Sequence, residues 1–117
     1  MSASTGAALA SHAFEALSDT TRRRIVEALR GGELSVGDIV AEVGIAQSGV
    51  SRHLRILAES GFVHVRPDGQ RRLYSLRPEP FLAIDVWMDE YRRLWGARLD
   101  RLGTELERKV RSRQENQ

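Results

Sequence analysis

Between residues 36 and 57 the apolar side chains follow two short helical periods separated by a glycine. Val36, Ile39, Val40 and Val43 share one face of a first helix, Gly44 supports a turn, and Val50, Leu54 and Leu57 share one face of a second. At about 100° per residue those last three fall within roughly a 60° arc. Two short amphipathic helices joined by a tight turn, each with a single side to bury, fold as a helix-turn-helix. Ser35 with Asp38 three residues on has the pattern of a capping box at the start of the first helix. The second begins near Gln47, and its outer side is unusual. Ser48, Ser51, Arg52 and Arg55 cluster opposite the apolar arc, and no carboxylate appears until Glu59. A face that merely meets water mixes both charge signs. This one is prepared to meet an anion.

After Gly61 the period changes from helical to alternating. "FVHVRPDGQRRLYSL" places Val63 and Val65 in one extended run and Leu73, Tyr74 and Leu76 in another, with "PDGQ" between them as a hairpin signal. Arg66, Gln70, Arg71 and Arg72 gather around its tip. A basic hairpin directly after a helix-turn-helix is a wing. Upstream, Leu9, Ala13 and Leu17 with Phe14 beside them outline a helix from Ala8. "LSDTTRRRIVEALRGG" outlines another, capped by Ser18 or Asp19, with Ile25, Val26 and Leu29 inside and Gly31-Gly32 as its stop.

Downstream, Ile84, Met88, Tyr91, Trp95, Leu99, Leu102, Leu106 and Val110 form a stripe from about Pro80 to Arg111, a continuous helix of about 45 Å. So small a domain cannot cover this stripe alone, and two copies can. Gly96 and Gly103 within it either permit close approach of a neighbouring helix or are tolerated surface glycines. The expected organisation is a disordered tail over 1–7, a single domain over 8–110 and a second disordered tail over 111–117.

With 117 residues and a net charge of +2, the chain has no dominating global field. The distribution of charge says more. Residues 47–77 hold six arginines against Glu59 and Asp68, a local charge of +4, while the remainder carries −2. Such concentration fits a nucleic-acid footprint. Lys109 is the one lysine among eighteen basic residues, which reflects either the forked donors of arginine or a codon bias. Cysteine is absent, which removes disulfides, thiolate metal ligands and thiol sensing together. There is no nucleophile motif or phosphate-binding glycine loop, and the three histidines are scattered, so an enzyme is not expected. No apolar run approaches a membrane span, and the start lacks the regions of a signal peptide, so the expected location is cytoplasmic, away from membranes.

In this order the segments "ALSDTTRRRIVEAL" (16–29), "ELSVGDIVAEVGIAQSGVSRHLRILAESGFV" (33–63) and "GQRRLYSL" (69–76) resemble the ArsR/SmtB family of winged helix-turn-helix transcriptional repressors. The resemblance implies a mainly α fold with a small β-hairpin, in the order α-α-α-α-β-β-α, dimerising through its first and last helices. It implies a homodimer on double-stranded DNA, reading an inverted repeat with half-sites about 34 Å apart. Metal-sensing relatives carry a cysteine pair in the stretch matching "ELSVGDI", where this chain has Ser35 and Gly37. Their other site uses an acid and histidines on the last helix. Here "DVW" (85–87) puts Trp87 where a histidine is needed, and no histidine follows His64. The chain therefore resembles the metal-independent, autorepressor-like branch, with no cofactor and no metal ligand expected. Ala46 stands where many relatives place a capping serine, a loss of about 1 kcal/mol that leaves the helix start flexible before DNA binds.

Gln47, Ser48, Ser51 and Arg52 stand at the front of the recognition helix, where base edges are reached; Arg can bind guanine bidentately and Gln adenine. Arg55, one turn later, is placed for phosphate. His53 lies at the edge of the apolar arc, for packing or for the DNA backbone; the resemblance adds that relatives have a histidine here too. Arg66, Arg71 and Arg72 suit a narrow minor groove or the phosphates, or are ordinary hairpin charge. Ser35 is a helix cap whose amides can hold a phosphate, and Thr21 and Arg23 are weaker backbone candidates. Leu9, Phe14, Ile84, Trp87, Met88, Tyr91, Trp95, Leu99, Leu102 and Leu106 are the candidate dimerisation residues. Trp87, Tyr91 and Trp95 serve either this packing or a pocket for an apolar small-molecule effector. A winged-helix protein-interaction module is the rival function, and for it the basic face is superfluous.

Overall fold

The computed structural model describes residues 2–115, with side chains described from Gly6 onward. Residues 1–85 form one unit and residues 86–117 a second. In the first, α1 (Ser2–Ala16) is followed by α2 (Thr20–Ala28), a single 3₁₀ turn (Leu29–Gly31), β1 (Leu34–Ser35), α3 (Val36–Val43), α4 (Gln47–Glu59), β2 (Val63–Asp68) and β3 (Arg71–Leu76); α5 (Glu79–Glu115) starts in this unit and fills the second.

Local chemistry sets these boundaries. Asp19, one of two expected caps, starts α2 by accepting a hydrogen bond from the Arg22 amide at 3.1 Å. Ser35 and Asp38 complete a reciprocal capping box on α3, each side chain accepting from the other's amide at 3.2 Å. Gly44 ends α3 in the left-handed region, φ 73°, a conformation a Cβ would strain. At the end of α4 the Phe62 amide donates to the Leu57 carbonyl and the Gly61 amide to that of Ala58, the paired bonds of a Schellman motif, with Gly61 at φ 80°.

The core lies where α2, α3 and α4 meet the sheet. Ile25, Ile39, Val50, Leu54, Leu57 and Phe62 are fully buried within it. Phe62, the largest of them, stands edge-on to Phe81 of α5, ring centroids 5.4 Å apart. The strand order is β1-β3-β2, all antiparallel. The hairpin turn is Gly69-Gln70, one residue later than an Asp-Gly turn, because Asp68 pairs with Arg71 as the last rung. Only the first turn residue, Gly69, has positive φ.

Three expectations are corrected. The expected two-stranded hairpin gains a third strand, β1, whose Leu34 and Ser35 pair with Tyr74 and Leu73. Two residues are too few to show an alternating period. Helix extends into both expected tails, from Ser2 and as far as Glu115, with Met1 and residues 116–117 outside the described residues. No breaker separates residues 2–7 from the alanines that follow, and Glu105–Lys109 and Glu107–Arg111 are helix-favouring charge spacings.

Finally, α5 is not continuous. Gly96 has φ 27° and ψ −110°, which kinks the helix between Trp95 and Ala97. A Cβ at Gly96 or Gly103 would meet nothing within 4 Å, so neither glycine serves a close approach within the chain. What Gly96 supplies is its backbone freedom.

Truncating Phe62→Ala should lower the unfolding free energy by about 3–5 kcal/mol, and Ser35→Ala by about 1 kcal/mol. Urea denaturation checks both, and a smaller loss for Phe62 than for Ser35 would contradict the packing described.

Candidate nucleic-acid interface

Burial of Val50, Leu54 and Leu57 fixes the rotation of α4 and thereby points its other side outward. Gln47, Ser48, Ser51, Arg52 and Arg55 are all exposed. Arg52 and Arg55 have no carboxylate partner among the described residues, and the first turn of α4 contains no acid. Ala46, at the cap position, makes no side-chain hydrogen bond to that turn. Gly49 allows it to sit close to the preceding loop, since a Cβ there would lie 3.3 Å from the Ile45 methyl. The result is an uncapped positive helix end beside two free guanidiniums, a favourable place for an anion.

His53 is half-buried and turned toward α2. Its Nδ1 lies 3.9 Å from the Asp19 carboxylate and has no hydrogen-bond partner among the described residues. Asp19 is thereby shared between its own helix and α4. The hydrogen bond from the Arg22 amide, with His53 and the Arg22 charge nearby, holds the Asp19 carboxyl below its ordinary pKa.

The wing arginines divide. Arg66 on β2 meets Glu33 through both forks of its guanidinium, Nε to Oε2 at 2.6 Å and Nη2 to Oε1 at 2.9 Å. Arg71 meets Asp68 at 3.0 Å across the turn. Arg72 and Gln70 are exposed, and Arg72 has no carboxylate partner among the described residues. Arg66 holds the Glu33 carboxyl below its ordinary pKa, chiefly by hydrogen bonding. The Ser35 amide, which donates to Asp38, and the Ser35 hydroxyl together hold the Asp38 carboxyl below its ordinary pKa. Ser35 is half-buried in β1, with its side chain committed to the cap.

The sequence did not single out Glu33 or Asp68 as partners, nor two arginines of the "RRR" run. Arg22 donates Nε to the Ala16 carbonyl at 2.7 Å and Nη2 to that of Glu15 at 3.3 Å, closing the end of α1. Arg24 donates to the Val43 carbonyl at 2.7 Å, closing the end of α3. Arg23 donates to the Thr20 hydroxyl at 3.3 Å and stays exposed. The spacing of Asp68 and Arg71 across a turn was a usable signal. Glu33 and Arg66, 33 residues apart, had none until β1 was known.

The candidate dimerisation residues are distributed over both units. On α1, Ala10, Ala13 and Ala16 turn inward, while Leu9 (56% exposed) and Phe14 stay at the surface. Ile84 is half-buried and packs against the core of its own unit. In residues 86–115, Trp87 and Tyr91 stack with centroids 4.6 Å apart, and Arg98 lies 5.8 Å over the Trp95 ring. Tyr91, Trp95, Leu99, Leu102 (61%), Leu106 (64%) and Val110 are exposed; Met88 is half-buried. No described helix is long and apolar enough to cross a membrane.

A β-hairpin wing following two helices joined by a tight turn, with a cation-bearing outer face on the second, defines a winged helix-turn-helix DNA-binding protein. Comparison with known proteins agrees. The family model for bacterial regulatory proteins of the arsR family matches residues 19–65. The HTH-type transcriptional regulator Rv2034 of Mycobacterium tuberculosis is 39% identical over 79 residues, 68% of this chain and 74% of that one. The transcriptional repressor SdpR of Bacillus subtilis is 38% identical over 75 residues, 64% of this chain and 83% of its own. Among solved structures, the homodimeric winged helix-turn-helix DNA-binding domain of Mb0332 from Mycobacterium bovis superposes with a TM-score of 0.59 at 25% identity, covering 74% of this chain and 82% of that one. The chain belongs to the ArsR family and is a DNA-binding transcriptional regulator, not an enzyme.

Asp19, Glu33 and Asp38 all hold their protons less firmly folded than unfolded. Their stabilisation is therefore complete above the ordinary carboxylate pKa of about 4 and is lost as pH falls through the lower folded values. Melting temperature should be flat from about pH 7 to about pH 5 with respect to these groups and should fall below about pH 4. Asp19→Asn and Asp38→Asn, which keep a cap oxygen, should each shrink the acid-side fall in circular-dichroism melts.

Proposed function

We propose that the protein is a homodimeric repressor that binds an inverted-repeat operator without a metal effector. The observation that carries this is the outer face of α4, where five exposed polar or cationic residues stand with no carboxylate among them. In the major groove, Arg52 with Gln47, Ser48 and Ser51 reads base edges, while Arg55 and the free Arg72 of the wing take phosphates. His53 steadies α4 against α2.

The exposed apolar faces of α1 and of α5 each favour a second copy. Leu102 and Leu106 would otherwise face water across a stripe wider than a single surface side chain explains. The name of SdpR supports repression, and that of Mb0332 supports the dimer. Metal independence rests on Ser35, Gly37 and Trp87 at the positions that would have to be ligands, and on the absence of cysteine from the sequence.

The test is competition between the inverted repeat upstream of the protein's own gene and random duplex. Wild type should favour the repeat by about a thousandfold or more. Arg52→Ala should cost about 1–3 kcal/mol on the repeat and relax its sequence choice. Arg72→Ala should weaken both duplexes alike and reduce the salt slope by about one. Equal binding of both duplexes by wild type, or a monomer at micromolar concentration in sedimentation equilibrium, would overturn the proposal.

A further inference from the structure

The wing has three arginines near its tip, yet two of them are already paired within the chain. The Arg66–Glu33 pair is the more elaborate. Arg66 lies on β2, opposite Leu73 of β3, which in turn lies opposite Ser35 of β1. The guanidinium therefore spans the width of the sheet to reach Glu33, just before β1, and meets both carboxylate oxygens. Two parallel hydrogen bonds to a carboxylate use the same fork that an arginine offers to a phosphate. Arg66 cannot present that fork to both at once.

We propose that Glu33 is a specificity-determining residue: it acts as the resident counter-ion of Arg66, keeping that cation off DNA that the recognition helix does not read. This rests on the DNA-binding reading above. Both side chains are partly exposed, 46% for Arg66 and 37% for Glu33, so the pair is weak enough to exchange. On random duplex the phosphate rail alone has to displace Glu33, and the exchange gains little. On the operator, base contacts by α4 fix where the wing sits, and Arg66 keeps its carboxylate partner. Glu33 thus subtracts affinity chiefly from non-specific DNA, where binding is almost wholly electrostatic.

The experiment compares wild type, Glu33→Gln and Glu27→Gln on the inverted repeat and on random duplex across a salt series. Glu27 is exposed on α2, and its substitution makes the same change in net charge without touching Arg66. Glu33→Gln should raise random-duplex affinity severalfold and steepen its salt slope by about one, equivalent to about a fourfold extra loss between 50 and 200 mM salt. Operator affinity should change by less than about twofold, so the specificity ratio falls. Glu27→Gln should do neither.

Three results overturn the proposal: no change on random duplex, an equal effect from Glu27→Gln, or weaker binding to both duplexes. The last would mean that the pair serves to position the wing. Wild type that binds neither duplex would remove the DNA-binding reading itself, whereas wild type that discriminates with Glu33→Gln unchanged removes only this one.

Discussion

One burial governs the arrangement of this protein. Val50, Leu54 and Leu57 lie on one side of α4 and are removed from water against α2, α3 and the sheet. An apolar contact has no direction of its own, but a helix is rigid, so burying three residues on one arc fixes where every other residue points. Arg52 and Arg55 are outside because Leu54 is inside. The turn at Gly44 and the Schellman closure at Gly61 hold the two ends of α4 to the same rotation.

The arginines of the chain perform separable tasks that their sequence positions alone do not distinguish. Arg22 and Arg24 close helix ends with hydrogen bonds to carbonyls. Arg66 and Arg71 are neutralised by carboxylates of the wing or its border. Arg52, Arg55 and Arg72 are left with no acid partner among the described residues. A local charge of +4 over residues 47–77 is therefore a sum over unlike members. The part of it that can act outward is concentrated on α4.

What could be read from the sequence follows the range of the interactions concerned. The capping box at Ser35, the stop after Leu29 and the rotation of α4 are set by neighbours three or four residues apart, so they were legible. The hairpin was legible, though its turn was one residue off. β1 was hidden because it exists only through Leu73 and Tyr74, nearly forty residues away in the chain. The Glu33–Arg66 pair was hidden behind it. On α1 the inward face belongs to alanines, with Leu9 and Phe14 outside, because a close-packed helix needs small residues where it touches its neighbours. The stripe on α5 was read correctly as apolar and wrongly as unbroken, since a glycine in a periodic pattern does not announce whether its backbone stays helical.

The break at Gly96 has an electrostatic consequence. A straight helix adds its peptide dipoles along one axis, but the kink gives α5 two axes and so two shorter dipoles. The first ends near Trp95 with its negative pole, and Arg92 and Arg93 occupy its last turn. The second begins at Ala97 with its positive pole, and Asp100 stands in its first turn. Arg92, Arg93 and Asp100 thus each meet a pole of opposite sign in mid-sequence, where an uninterrupted rod would offer them no pole at all, while Arg98 beside Ala97 meets one of its own sign.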